Sequence, residues 1–194
     1  MRHAIPTGQW LTGDDGQRWW YDSGSVALDF GYAGGFGDGP ETLNTPTELS
    51  GWLSDRYPGV DADATERDLA DGRALQRAIA AISTAISAHA EPAAEDVDVI
   101  NLFGATPDIP PALAGGSRQA GRSRARAGQA FSAMAREAID VFGVENADRV
   151  RECAADDCHL VFYDESRSNN RRWCSMQRCG NRAKVRAHRS RATS

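Results

Sequence analysis

Cysteine is scarce in this 194-residue chain: its four thiols stand at 153, 158, 174 and 179, so no disulfide can staple anything before position 153. Long apolar runs are missing, and no stretch approaches the roughly 20 residues of a membrane span. The opening MRHAIPTGQWLTGDDGQ lacks the apolar core of a secretory signal. The expectation is a cytoplasmic protein with reduced thiols and no membrane partner. Acidic residues stop at Glu165: residues 167–194 hold nine of the 22 Lys and Arg and none of the 27 Asp and Glu. The formal net charge of −5 therefore divides into about +9 at this end and about −14 elsewhere. Such an end attracts a polyanion, and the acidic body repels one. Catalytic patterns are lacking as well. His3, His89, His159 and His188 are scattered without nucleophile or carboxylate partners, and GYAGGFGDG at 31–39 has no following Lys-Ser/Thr to make a phosphate loop. The chain reads as a non-enzyme.

What is present suits a regulatory domain over 1–144 followed by a small module over 145–194. RWWYD at 18–22 and the apolar positions Val26, Leu28 and Phe30 alternate like short strands, and GYAGGFGDGP at 31–40 reads as loop. Thr45-Pro46-Thr47-Glu48 is a capping box with proline at the first helical position. Leu49, Trp52 and Leu53 follow at helical spacing, and Tyr57-Pro58-Gly59 stops that helix. A longer helix is predicted from about Thr65 to His89, burying Leu69, Leu75, Ile79, Ile82 and Ile86, with Asp63 and Glu66 as its cap. Pro92–Phe103 adds a short helix, and Thr106–Gly116 a loop or small hairpin. Ala127, Ala130, Phe131, Met134, Ala138, Val141 and Phe142 mark one apolar helical face. The basic RQAGRSRAR before it reads as a solvated helix face rather than a second nucleic-acid site.

The cysteines fall as C-x4-C, fifteen intervening residues, and C-x4-C. Four thiolates suit one structural Zn2+, and a hairpin between the pairs brings them together at little cost in chain entropy. The predicted hairpin runs out along Leu160–Tyr163, turns through SRSNN at 166–170 and returns along Arg171–Trp173. Two ligands at i and i+5 lie about 140° apart on an ideal helix, so Cys174 must precede the first turn, with Cys179 reaching back. The competing reading is four unrelated buried or redox-active thiols. His159 follows a ligand cysteine, but four cysteines already fill a tetrahedron, so it is expected at the surface. The fold class expected is α+β, mostly α: a helical N-terminal domain with small β elements plus a C-terminal treble-clef-like zinc module.

The stretch from Arg151 to Arg189 closely resembles the CGNR zinc finger, through Cys179-Gly180-Asn181-Arg182, the RRWCSM run at 171–176 and the segment Asp164–Arg167. In that family the finger usually follows an ABATE domain, described as a stress-induced transcription regulator. Residues 25–56 resemble it through SVALDF and LNTPTELSGWL, although Gly31-Tyr32-Ala33 stands where the family commonly continues Val-Asn-Thr.

After Cys174 the chain turns helical, and Arg178, Arg182, Arg186 and Arg189 fall within about 80° on a helical wheel and make one basic stripe, expected to project outward. Lys184, His188 and Arg191 form a second cluster, while Met176, Ala183 and Ala187 give a thin apolar strip suited to packing on the hairpin. With Arg171 and Arg172 from the returning strand, these arginines match phosphates. Asn181 reads either as a base-contacting side chain or as a local hydrogen bond, Gly180 as a close backbone approach, and Trp173 as a core anchor beside the metal. The residues admit DNA or RNA; the family resemblance implies DNA. Three functions follow: a DNA-binding regulator whose N-terminal domain senses a small-molecule or protein signal or forms a homodimer, an adaptor whose basic helix docks an acidic partner, and a thiol redox switch. No heptad enforces dimerisation.

Overall fold

The computed structural model describes residues 5–13, 16–33, 43–57, 59–60, 63–111 and 125–192. Outside them lie His3, Pro58, the glycine-rich stretch from 34 on, the end of the 106–116 loop and most of RQAGRSRAR. A hairpin of β1 (Gln9–Thr12) and β2 (Arg18–Tyr21) is followed by α1 (Val26–Gly31), α2 (Pro46–Arg56), α3 (Glu66–Ser87), α4 (Ala94–Gly104) and α5 (Ala127–Phe142). A second antiparallel pair, β3 (Val150–Glu152) and β4 (Val161–Tyr163), precedes a π turn at Met176–Gly180 and helix α6 (Asn181–Ala192). No helix among the described residues is long and apolar enough to cross a membrane.

Local chemistry sets most of the helix starts. Thr45 accepts from Glu48 N while the Glu48 carboxylate accepts from Thr45 N, and Pro46 occupies the first turn. The expected cap of α3 shifts by a few residues: Thr65 and Asp68, not Asp63 and Glu66, form a second reciprocal box. Helix α5 presents Ala130, Phe131, Met134, Ala138 and Val141 inward and packs against α3 and α4.

The largest departure from the sequence reading is α1. Val26–Phe30 are all buried, so this turn and a half carries no amphipathic period, and alternating Val26, Leu28 and Phe30 imitate a strand. Ser25 is its N-cap, accepting from Leu28 N, and a partner far along the chain braces that cap: Glu137 accepts from Ser25 Oγ at 2.7 Å and Val26 N at 2.8 Å.

Apolar packing divides into two clusters. Phe30, Leu53, Leu75, Ile79, Phe131 and Met134 lie in the helical core, which also takes in Val150 and Val161 from β3 and β4. The second joins Leu11, Trp19 and Tyr21 of the N-terminal hairpin to Leu160, Phe162 and all four cysteines. The first residues of the chain thus complete the core around the last ones.

Candidate metal centre

Strands β3 and β4 open into a tight knuckle that carries Cys153 and Cys158, closed by Cys153 N donating to Leu160 O at 2.9 Å and Cys158 N to Ala155 O at 3.0 Å. The predicted partner of β4 is corrected here: Arg171–Trp173 is not a strand, and β4 pairs with β3. Buried Asp164 redirects the chain, its carboxylate accepting from Ser166 N at 2.9 Å and Arg171 N at 2.8 Å. Burial raises its pKa, but these hydrogen bonds and Arg151 hold the carboxyl below its ordinary value. The returning segment then crosses the knuckle, where Ala154 N donates to Arg172 O at 2.9 Å. That brings Cys174 to the first pair just ahead of the π turn.

The π turn solves the spacing problem. Gly180 N donates to Ser175 O, five residues back, and this wider turn lets Cys179 face the cysteine that precedes it. The close approach expected at Gly180 is present: a Cβ there would lie 2.7 Å from Met176 Sδ. The four buried sulfurs lie within 4.8 Å of one another, with Cys158–Cys174 and Cys174–Cys179 each at 3.6 Å. A zinc–sulfur bond of about 2.3 Å puts tetrahedral sulfurs about 3.8 Å apart, so the cluster has the size and chemistry of a structural zinc site. Among the described residues it is the one group of three or more His, Cys, Asp or Glu close enough to share a metal.

The crowded thiols split in their hold on protons. Hydrogen bonds from Cys153 and the other two thiols, with Arg182, hold Cys179 far below the ordinary thiol value, while the same crowding, Cys153 foremost, pushes Cys174 far above it. Four thiolates at such distances need a divalent ion to offset their repulsion. Two donors already orient sulfur: Cys174 N to Cys153 Sγ and Arg182 Nη2 to Cys179 Sγ, each 3.4 Å. His159 stays outside, exposed and 2.7 Å from Glu152.

With this geometry in view, comparison with known families is informative. The model for the CGNR zinc finger matches residues 149–192, and that for ABATE, "Putative stress-induced transcription regulator", matches residues 24–145. The chain belongs to the ABATE family. Its finger carries the zinc-binding site. No curated protein matches the chain.

In the CGNR finger the arginine stripe does not project outward as one: Arg182 and Arg186 pair with the knuckle, while Arg189 stays exposed. Cys179 must face the metal, and Arg182 and Arg186 follow it at i+3 and i+7 on the same helix face. Arg182 Nη1 therefore meets Asp157 at 3.0 Å, and Arg186 meets Asp156 at 3.3 Å and Asp157 at 3.0 Å. Burial opposes the ionised form of Asp157, yet the hydrogen bond from Arg186 and both guanidinium charges hold its pKa below the ordinary value. Arg178 lies over the Trp19 ring, 3.5 Å from its centroid. Met176, meant for the inner strip, is 52% exposed.

The other candidates scatter. Arg171 turns inward, donating to the carbonyls of Trp173, Asp22 and Cys174 at 3.0, 2.6 and 2.8 Å. Arg172 is exposed, 5.1 Å from the half-buried Trp173 ring. Asn181 is exposed and donates to Gln177 O at 3.2 Å, the local bond foreseen for it. Lys184 and Arg189 are exposed on α6. Sequence reasoning read RWWYD as strand-like, which β2 bears out, but overlooked Asp156, Asp157 and the packing of the β1–β2 hairpin against the cysteines. Counting i+3 and i+7 from Cys179 signalled where the arginines turn; nothing local signalled where the hairpin packs.

Proposed function

We propose that the protein is a transcription regulator that binds DNA through the CGNR finger, with one structural zinc ion shaping the finger and the ABATE domain sensing a stress signal or mediating association. The observation that carries this reading is a rigidly anchored basic helix. Cys179 ties the start of α6 to the metal centre, and Lys184, Arg189 and Arg191 stand exposed along it in a segment without a single carboxylate. Arg172 extends that charge, Asn181 stands exposed at the helix start, and an α-helix has the width to enter a major groove. Arg182 and Arg186 would add to the phosphate contacts by exchanging Asp156 and Asp157 for phosphate. Arg171 and Arg178 support the finger from inside.

The pairing of Arg182 and Arg186 with Asp156 and Asp157 also favours a second reading, in which the basic helix docks an acidic protein. Binding of the full chain to random-sequence duplex DNA, followed by fluorescence anisotropy across a salt series with and without a zinc chelator, separates the two. The DNA reading expects zinc-dependent binding with a log-log salt slope near −0.9 per phosphate contacted. Absence of binding at low salt in both conditions moves the assignment to the adaptor.

A further inference from the structure

The outer face of the N-terminal hairpin carries side chains that its own fold does not use. Trp10 and Trp20 pair across β1 and β2 with ring centroids 5.5 Å apart, and they remain 56% and 39% exposed. Arg18 lies 5.3 Å from the Trp10 ring centroid. Gly8 pins Trp20 in place: a Cβ on that residue would fall 2.4 Å from the indole, and its φ of +99° needs glycine.

Trp20 borders a groove of about 600 Å³ whose other walls are Asn170, Arg172, Trp173, Met176 and Gln177. Arg171 lines it as well, giving its hydrogen bonds to uncharged carbonyls. Neither Arg171 nor Arg172 makes an ion pair among the described residues. The one carboxylate lining the groove, Asp22, accepts from Thr7 Oγ and Gly24 N. Indole walls beside the exposed Arg172 guanidinium suit a ligand that is both planar and anionic. The groove reaches the π turn that begins the basic helix.

We propose that this groove takes an unpaired nucleotide, so that the protein binds DNA with a locally single-stranded segment more tightly than the same sequence fully paired. Trp20 and Trp173 stack the displaced base, and Arg172 meets its phosphate. Arg18 and Trp10 continue the platform for the neighbouring nucleotide. The inference rests on the DNA reading of the finger and adds to it a preference for opened strands.

The test uses zinc-loaded full-length protein and labelled DNA at fixed salt, as a paired duplex and as the same duplex with a central mismatched bubble. The bubble should bind on the order of tenfold more tightly. Trp20→Ala should abolish that margin while leaving duplex affinity, zinc content and the circular dichroism spectrum unchanged, and Trp20→Phe should keep most of it. Equal affinity for bubble and duplex, or an undiminished margin in Trp20→Ala, overturns the inference and leaves the DNA reading intact. Failure to bind either form overturns both.

Discussion

The guanidinium of Arg178 sits 3.5 Å from the ring centroid of Trp19, which ties the π turn between the last two cysteines to a strand some 160 residues earlier in the chain. Around that contact, Tyr21 Oη donates to Val161 O and Arg171 Nη2 to Asp22 O. The finger is therefore built from both ends of the chain. Trp19→Ala should cost about 3–5 kcal/mol, as expected for a buried tryptophan, and should speed zinc release to a chromophoric chelator. Denaturant titration and chelator kinetics on the same variant check both. Unchanged zinc release would mean that the hairpin merely rests on the finger.

Removing zinc should act unevenly. Structural sites contribute roughly 10–16 kcal/mol of apparent binding energy to folding, yet the helical core of α1, α3 and α5 is a separate cluster from the cysteines. Chelation, or Cys174→Ser, should abolish hydrogen-exchange protection in β1, β2 and the finger, leaving α3 and α5 protected. Uniform loss of protection would contradict two separable cores.

Asp156 and Asp157 hold Arg182 and Arg186 against the knuckle. Both aspartates are largely solvated, so replacing the pair with Asn should alter stability by about 1 kcal/mol or less. DNA affinity should rise several-fold, with a steeper salt dependence, as two guanidinium groups become available. Lower affinity would mean that the clamp positions the helix rather than competing with DNA.

Asp29 offers a pH test. Its carboxylate accepts from Gly8 N at 2.6 Å, and its other oxygen lies 2.7 Å from Ser23 Oγ, itself 2.6 Å from Ser25 O. Burial lifts its pKa to about 6 against the hydrogen bonds from Ser23 and Gly8. The folded state therefore holds the extra proton between about pH 4 and pH 6, and this group's contribution to stability increases as pH falls through that window. The single Ser23 hydroxyl proton can serve one acceptor at a time; a proton on Asp29 lets Ser23 donate to Ser25 instead. Asp29→Asn mimics that state and should flatten the wild-type minus variant stability difference above pH 6, changing it by up to about 3 kcal/mol between pH 6 and pH 4. A difference constant from pH 4 to pH 7 would exclude the assignment.

What could be foreseen was local or periodic. The Thr45 box closes within four residues, the α5 stripe repeats along one face, and four thiols with two short spacings point to one metal. What escaped depends on distant partners. Nothing between Val26 and Phe30 announces that Glu137 braces their Ser25 cap, and alternation in a fully buried short helix carries no information about its period. Asp164 decides the path of Arg171–Trp173 from inside the core. The direction of Arg182 and Arg186 was accessible through Cys179, because a ligand fixes the helix face more firmly than a sparse apolar strip does.

The pairing of Tyr21 with Val161, 140 positions apart, also has a meaning in time. During synthesis the hairpin leaves the ribosome well before Cys179, so Trp19 and Tyr21 wait with no core to enter while the helical domain assembles. The finger can close only after Cys179 has emerged, and zinc then fastens an earlier-made segment to a later-made one. A truncated product would expose these aromatic side chains and lack its metal, leaving it open to proteases that spare the finished molecule.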